Sequence, residues 1–204
     1  MGDDARLYVS PDIPHAFRED IVPLATMMTP NQFEAQLLSG MESITTLEDA
    51  SIACEILHSR GPHTVVISSL DLVNHPNQVV IFASTKVRQE EAGGEEHGKQ
   101  QHHQYYLCVP KVDAYFTGTG DLFSALLCGW LHKYPHNLKE ALEHTIAALQ
   151  AVLVDTVAHC GEEAVTKRRD AEVCRARELR LIQNAAAIRD PMVTHKAQRL
   201  SLIK

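Results

Sequence analysis

Lys111-Val112-Asp113-Ala114-Tyr115-Phe116-Thr117-Gly118-Thr119-Gly120-Asp121-Leu122-Phe123 is the stretch on which the fold turns. It follows an extended run, Tyr105 to Val109, and leads into an apolar helix expected from Gly120 to His132, so a glycine-rich turn joins a strand to a helix start. Gly118 and Gly120 let backbone amides come close to a ligand, and the helix beginning here points free N–H groups and the positive end of its dipole at the same spot, which makes an anion hole. Asp121, in the first turn, would stay ionised and could accept a proton from an attacking hydroxyl while neighbouring amides stabilise a transferred phosphoryl group. The alternative is a tight turn with Asp121 as an ordinary N-cap, because Asp is a preferred cap in any helix.

Upstream, the apolar run Ile21 to Met28 reads as a strand, Thr29-Pro30-Asn31 as a tight turn, and Phe33, Leu37 and Leu38 as one face of a short helix ending at Gly40. Asn31 and Glu34 stand three apart on the first turn of that helix, where an amide and a carboxylate can organise phosphate, water and a hydrated magnesium ion. They can equally form a cap in which Asn31 accepts from the Glu34 amide. Thr45 to Glu48 has capping-box spacing and opens a helix with Ile52, Ala53, Ile56 and Leu57 on one face, stopped by Gly61-Pro62. Thr64-Val65-Val66-Ile67-Ser68 is a β-branched run short enough for a strand buried on both faces, and Val79 to Ala83 is a further extended run.

Residues 86–104 are almost wholly polar and read as a surface loop inside one domain spanning 1–204. Amphipathic helices are expected from Leu138 to His159 and from about Asp170 to Ile188, the latter halted by Asp190-Pro191. Alternating strands and helices predict an α/β fold with a mostly parallel sheet flanked by helices and ligands at the carboxyl ends of the strands.

Composition narrows the function classes. The 204 residues are 45% hydrophobic and 22% charged, a globular balance, and the formal net charge of −7 leaves no basic excess for a nucleic-acid backbone. No run of roughly 20 apolar residues is evident, and the first residues lack the basic and apolar regions of a signal peptide, so a cytoplasmic protein off the membrane is expected. Arg6 stands where a myristoylation motif after Gly2 needs Ser or Thr. Cys54, Cys108, Cys128, Cys160 and Cys174 lack paired spacing and suit reduced thiols, mostly in the core. His102, His103 and Cys108 lie close together in the polar insertion, without the spacing of a structural zinc site.

Three phrases carry a resemblance: Thr-Pro-Asn-Gln-Phe-Glu-Ala-x-Leu-Leu-Ser-Gly at 29–40, Gly-Pro-x-Thr-Val-Val-Ile at 61–67, and Lys-Val-Asp-Ala-x-Phe-x-Gly-Thr-Gly-Asp-Leu-Phe at 111–123. Together, in this order, they resemble the pyridoxal kinases of the ribokinase-like superfamily, and weaker similarity extends the match to roughly residues 8–193. The resemblance implies ATP-dependent phosphorylation of the 5′-hydroxyl of pyridoxal, pyridoxine or pyridoxamine. It makes Asp121 the catalytic base and Gly118, Thr119 and Gly120 the anion hole. Thr29, Asn31 and Glu34 then face the ATP phosphates and the magnesium, Glu34 through water. Ser68 and Ser69 match a hydroxyl pair near the phosphates, and Val112, Asp113 and Ala114 match the stretch beside the nucleotide base. By themselves Val112 and Ala114 read as core, and Ser68 and Ser69 as cap or turn residues. A monovalent cation, usually potassium, and a homodimer are implied as well.

The departures are at the amino terminus. The family's opening strands, ring pocket and lid have no counterpart before residue 8, and the aspartate preceding its Thr-Pro-Asn segment is absent unless Asp3 or Asp4 replaces it. A chain lacking the acceptor pocket is therefore expected to phosphorylate little, and a non-catalytic isoform that keeps nucleotide or partner binding is the alternative reading. A related hydroxymethylpyrimidine kinase is a third reading, less close in wording at residues 29–34.

Overall fold

β-Branched and aromatic residues make up most of the strand runs Thr64–Leu70 and Gln78–Lys86, and the two-residue alternation settles which face each side chain takes. The computed structural model describes residues 2–3, 6–87, 102–112, 114, 116–160, 175 and 177–201. Its described residues fall into two units, 1–108 with 198–204, and 109–197.

In the first unit, a two-stranded antiparallel pair, β1 (Gly2–Asp3) and β2 (Arg6–Leu7), precedes a helical segment. That segment is α1 (Ile13–Ala16), followed by a π-turn at Phe17–Ile21 and a 3₁₀ turn at Val22–Leu24. Only Met27–Met28 (β3) pairs as a strand, and the first half of the strand expected over Ile21 to Met28 is helical. Pro23 fits the start of a 3₁₀ turn, where its missing N–H costs nothing, and Val22 is fully buried while Leu24 is exposed. Helix α2 (Gln32–Ser39) ends on Gly40, whose φ of 78° is the left-handed C-cap conformation that glycine adopts without penalty. Helix α3 (Leu47–Ser59) is capped by Thr46 and Asp49, one residue beyond the expected Thr45–Glu48 pair. Asp49 Oδ2 accepts from the Thr45 and Thr46 amides and from the Thr45 hydroxyl, which holds the Asp49 carboxyl below its ordinary range.

β4 (Thr64–Leu70), β5 (Gln78–Lys86), β6 (His102–Pro110) and β7 (Gln198–Arg199) complete a five-stranded sheet of order β3-β4-β5-β6-β7. β3 and β4 are parallel, whereas β4–β5 and β6–β7 are antiparallel. The sheet is therefore mixed, not mostly parallel, and the reason is local: residues 71–77 are too short a connection for the crossover that parallel neighbours need. Val65, Ile67, Val80 and Phe82 pack with Ala35 and Leu38 of α2 and with Ala53, Cys54 and Leu57 of α3. Val66, Ile81 and Leu107, on the opposite face, are also buried, as expected of a strand run such as Thr64 to Ser68. The polar insertion is narrower than 86–104: Lys86 ends β5, His102, His103 and Gln104 begin β6, and Gln104 is buried.

A polar cluster lies between α3 and the sheet. The Pro62 carbonyl can only accept, so His58 Nδ1 carries the proton it donates there at 2.9 Å, and His58 Nε2 accepts from the Ser84 hydroxyl at 2.9 Å. His102 stacks on His58 with centroids 4.5 Å apart, and Ser51 donates to Gln104 Oε1 at 2.9 Å. Burial drives the His58 pKa from 6.5 down to about 4 and lowers that of His102. Cys54 is buried and its thiol is pushed well above its ordinary range by desolvation, so it is an inert core group.

In the second unit, α4 (Thr119–Lys133) and α5 (Leu138–Cys160) pack against each other, with Phe123, Leu127, Leu142, Ile146 and Leu149 buried, and both match their expected spans within a residue at each end. By length and composition α5 could cross a membrane, contrary to the reading that no such run exists, but about half of it is buried within the protein, as in a core helix. The expected helix from Asp170 to Ile188 is only partly realised. Residues 170–174 and 176 lie outside the described residues, 179–180 are irregular, 181–184 form a turn, and α6 (Ala185–Arg189) is short.

Candidate active site

The first group of site residues gathers at the carboxyl ends of the parallel pair β3 and β4. Pro30 follows β3, and its carbonyl accepts from the Ser68 amide at 2.9 Å and from the Ser68 hydroxyl at 3.4 Å. The β4–β5 register shifts between Ile67 and Leu70, so Ser68 and Ser69 sit on an irregularity that takes them out of regular pairing and leaves Ser69 exposed. Such an irregularity commonly re-aims side chains beside a functional site.

Asn31 caps α2 in full. Its Oδ1 accepts from the Glu34 amide at 2.8 Å, and Glu34 Oε2 accepts from the Asn31 amide at 3.1 Å. The cap reading of this pair is therefore realised. Asn31 Nδ2 also donates to the Gly2 carbonyl at 2.8 Å, which ties β1 to the head of α2. Gly2 fits because a Cβ there would lie 2.6 Å from both the Arg6 carbonyl oxygen and Phe33 Cε1.

The second group lies in the other unit, at the start of α4. Ala114 N–H donates to the Val112 carbonyl at 2.8 Å in a tight turn, and both residues are half-buried, not core; Asp113 lies outside the described residues. Gly118 is the N-cap, with φ 86° and ψ 6°, a left-handed geometry that a side chain would strain. Leu122 N–H is the first to bond back, to the Gly118 carbonyl at 3.0 Å, so the amides of Thr119, Gly120 and Asp121 open at the positive end of a 15-residue helix. Asp121 is exposed and stands three residues past the cap, and the helix has no side-chain cap bond. The reading of Asp121 as an ordinary N-cap is thereby ruled out. A carboxylate beside open amides at a helix start can accept a proton next to a bound anion.

A family model described as phosphomethylpyrimidine kinase matches residues 3–166, across both groups. The chain belongs to the phosphomethylpyrimidine kinase family. Among curated proteins it is similar to the pyridoxal kinase of Arabidopsis thaliana, 40% identical over 204 residues covering 98% of this chain and 59% of the relative. It is likewise similar to the pyridoxal kinase of Homo sapiens, 38% identical over 203 residues covering 97% of this chain and 62% of the relative. Among solved structures it resembles pyridoxal kinase from Leishmania donovani in complex with ADP, with TM-score 0.82, 27% identity, and coverage of 98% of this chain and 60% of that one. The chain spans about 60% of the length of the curated relatives it matches. The resemblance drawn from three short phrases thus holds along nearly the whole chain.

Within this family chain, a magnesium ion would meet Glu34 with Oε2 already committed to the Asn31 amide, which fits contact through water. Among the described residues no group of three or more His, Cys, Asp or Glu side chains gathers as a metal site. His102, His103 and Cys108 lie on β6 and not in an insertion; His102 stacks on His58, and Cys108 Sγ lies 3.6 Å from His75 Nδ1. Of the described cysteines, Cys54 and Cys160 are buried, Cys108 is half-buried and Cys128 is exposed.

Two features around these groups had no signal in the sequence. One is the Gly2 carbonyl on Asn31, 29 residues away along the chain. The other is Leu179, whose Cδ1 lies 4.0 Å from the position a Cβ would take on Gly118. Both bring together segments whose local patterns say nothing of each other.

Proposed function

We propose that this chain carries the nucleotide-binding, phosphoryl-transfer part of a pyridoxal kinase acting with ATP on the 5′-hydroxyl of pyridoxal, pyridoxine or pyridoxamine. The observation that carries the reading is Asp121, exposed at the first turn of α4 behind the left-handed Gly118 and beside open amides. In the proposed step Asp121 takes the proton of the 5′-hydroxyl as that oxygen forms its bond to the γ-phosphorus. The bond from the γ-phosphorus to the bridging oxygen breaks, and ADP leaves with the electron pair. Gly118, Thr119 and Gly120 donate amides to the transferring phosphoryl group. Thr29, Asn31, Glu34, Ser68 and Ser69 face the remaining phosphates, with Glu34 reaching magnesium through water, and Val112, Asp113 and Ala114 lie beside the base. Bound magnesium offsets phosphate charge.

The two units are proposed to form one ribokinase-like domain, supported by a single family match running across both. A potassium requirement, a homodimer and a cytoplasmic location follow from the same family reading, and the net charge of −7 supports a chain that binds no nucleic acid.

A second reading is nucleotide binding without turnover. Two measurements on the 204-residue protein separate these: ADP affinity by calorimetry and pyridoxal phosphorylation by product assay. Saturable ADP binding with turnover supports the kinase, and binding with negligible turnover supports the second reading. An absence of ADP binding overturns both.

A further inference from the structure

Asp155 lies on α5, outside every stretch assigned to the site, yet its carboxylate reaches the segment that runs beside Gly118. Oδ2 accepts from Arg180 Nε and from Asn184 Nδ2, both at 2.8 Å. The next residue, Thr156, accepts the Arg180 amide on its hydroxyl at 3.2 Å while donating to the Val152 carbonyl at 2.7 Å. The Arg180 carbonyl in turn accepts from Asn184 Nδ2 at 2.8 Å and from the Asn184 amide at 3.2 Å. Arg180 is thus held at its amide, its carbonyl and its guanidinium, and Leu179, directly before it, places Cδ1 4.0 Å from the site of a Cβ on Gly118.

The exposure of the pair argues against a role in global stability. The Asp155 and Arg180 side chains are 42% and 24% exposed, and an ion pair so open to water contributes little to folding. What the bonds do remove is freedom from the segment 179–184, which is neither helix nor strand.

We propose that Asp155 is a positioning residue for the phosphate-binding turn: through Arg180 and Asn184 it holds Leu179 beside Gly118 and so limits the motion of the turn at the head of α4. The inference rests on the reading that Gly118 to Asp121 receives the nucleotide phosphates. In this proposal Asp155 acts through the turn and not by contact with nucleotide or substrate.

The test uses the 204-residue protein with Asp155→Ala, Arg180→Ala and the double variant. Amide hydrogen exchange without nucleotide is expected to rise about tenfold or more at 178–184 and at 117–121 in each variant, with the rest of the chain unchanged. ADP affinity is expected to fall about fivefold in either single variant, and the double variant should be no weaker than the singles because the two side chains act as one unit. The melting temperature should move little. Unchanged exchange at 117–121, or additive losses of affinity in the double variant, overturns the proposal, as does a general rise in exchange accompanied by a large drop in melting temperature. If the parent protein does not bind ADP, the nucleotide reading fails, and the exchange measurement still decides the positioning role on its own.

Discussion

Acidification should destabilise this protein through His58, and the structure sets both the sign and the size. His58 is held neutral between the Pro62 carbonyl and the Ser84 hydroxyl, stacked on His102, with Lys86 and His63 adding to the cost of a second proton. Its pKa falls from an ordinary 6.5 in the unfolded chain to about 4 in the fold. Between those values the unfolded chain binds a proton that the folded one refuses, so stability is complete above pH 6.5 and is lost progressively as pH falls toward 4. At about 1.4 kcal/mol per pH unit, the loss attributable to His58 approaches ~3 kcal/mol, a large share of the stability of an ordinary domain. Carboxylates also titrate in this range, so the assay is a comparison. Urea unfolding of the parent and of His58→Gln, which stays neutral, is followed at pH 7, 6, 5 and 4. The parent should be the more stable at pH 7, and the difference should shrink or reverse by pH 4. Parallel stability curves across the range would refute the assignment of the burial cost to His58.

In a context that phosphorylates pyridoxal, Asp121→Asn should lower turnover roughly a hundredfold or more with ADP affinity nearly unchanged, because Asn cannot accept the proton; unaltered turnover removes Asp121 from the mechanism. Asn31→Ala loses the bond from the Glu34 amide and the bond to the Gly2 carbonyl, and should cost about 1–2 kcal/mol of stability in thermal or urea unfolding. Asn31→Asp, which keeps the cap acceptor, should recover most of that loss. Replacing residues 89–100 by a few Gly and Ser should change stability by less than about 1 kcal/mol, since closure entropy varies slowly with loop length. Extending the replacement to 103 removes His102 from its stack on His58 and should shift the pH dependence measured above.

Much of the molecule was legible because it is local. The Asn31–Glu34 box, the Gly40 stop and the spans of α4 and α5 depend on residues a few positions apart, and the structure reproduces them. The glycine-rich turn before Asp121 was equally readable, since a left-handed Gly118 and an open helix start follow from that short stretch alone. The box at Thr46 and Asp49 was misplaced by one residue because both Thr45 and Thr46 satisfy the pattern and the Asp49 carboxylate binds both. The antiparallel course of β5 was also within reach, as residues 71–77 are too few for a crossover.

Tertiary structure decided what apolar periodicity cannot encode. Ile21 to Met28 is apolar enough for a strand, but which of its residues are buried depends on distant partners, and only Met27 and Met28 pair, with Thr64 and Val65. Residues 179–184 are not helical, and there Asp155 and Thr156, some 25 residues earlier, bind the guanidinium and amide of Arg180. Asn31 on the Gly2 carbonyl and Ser68 on the Pro30 carbonyl are bonds of the same kind, spanning 29 and 38 residues. Sequence pattern fixed the residues capable of chemistry, because helix starts and glycine turns are set by neighbours. Their surroundings came only with the fold, because a hydrogen bond between remote segments exists once the apolar core has already brought those segments together.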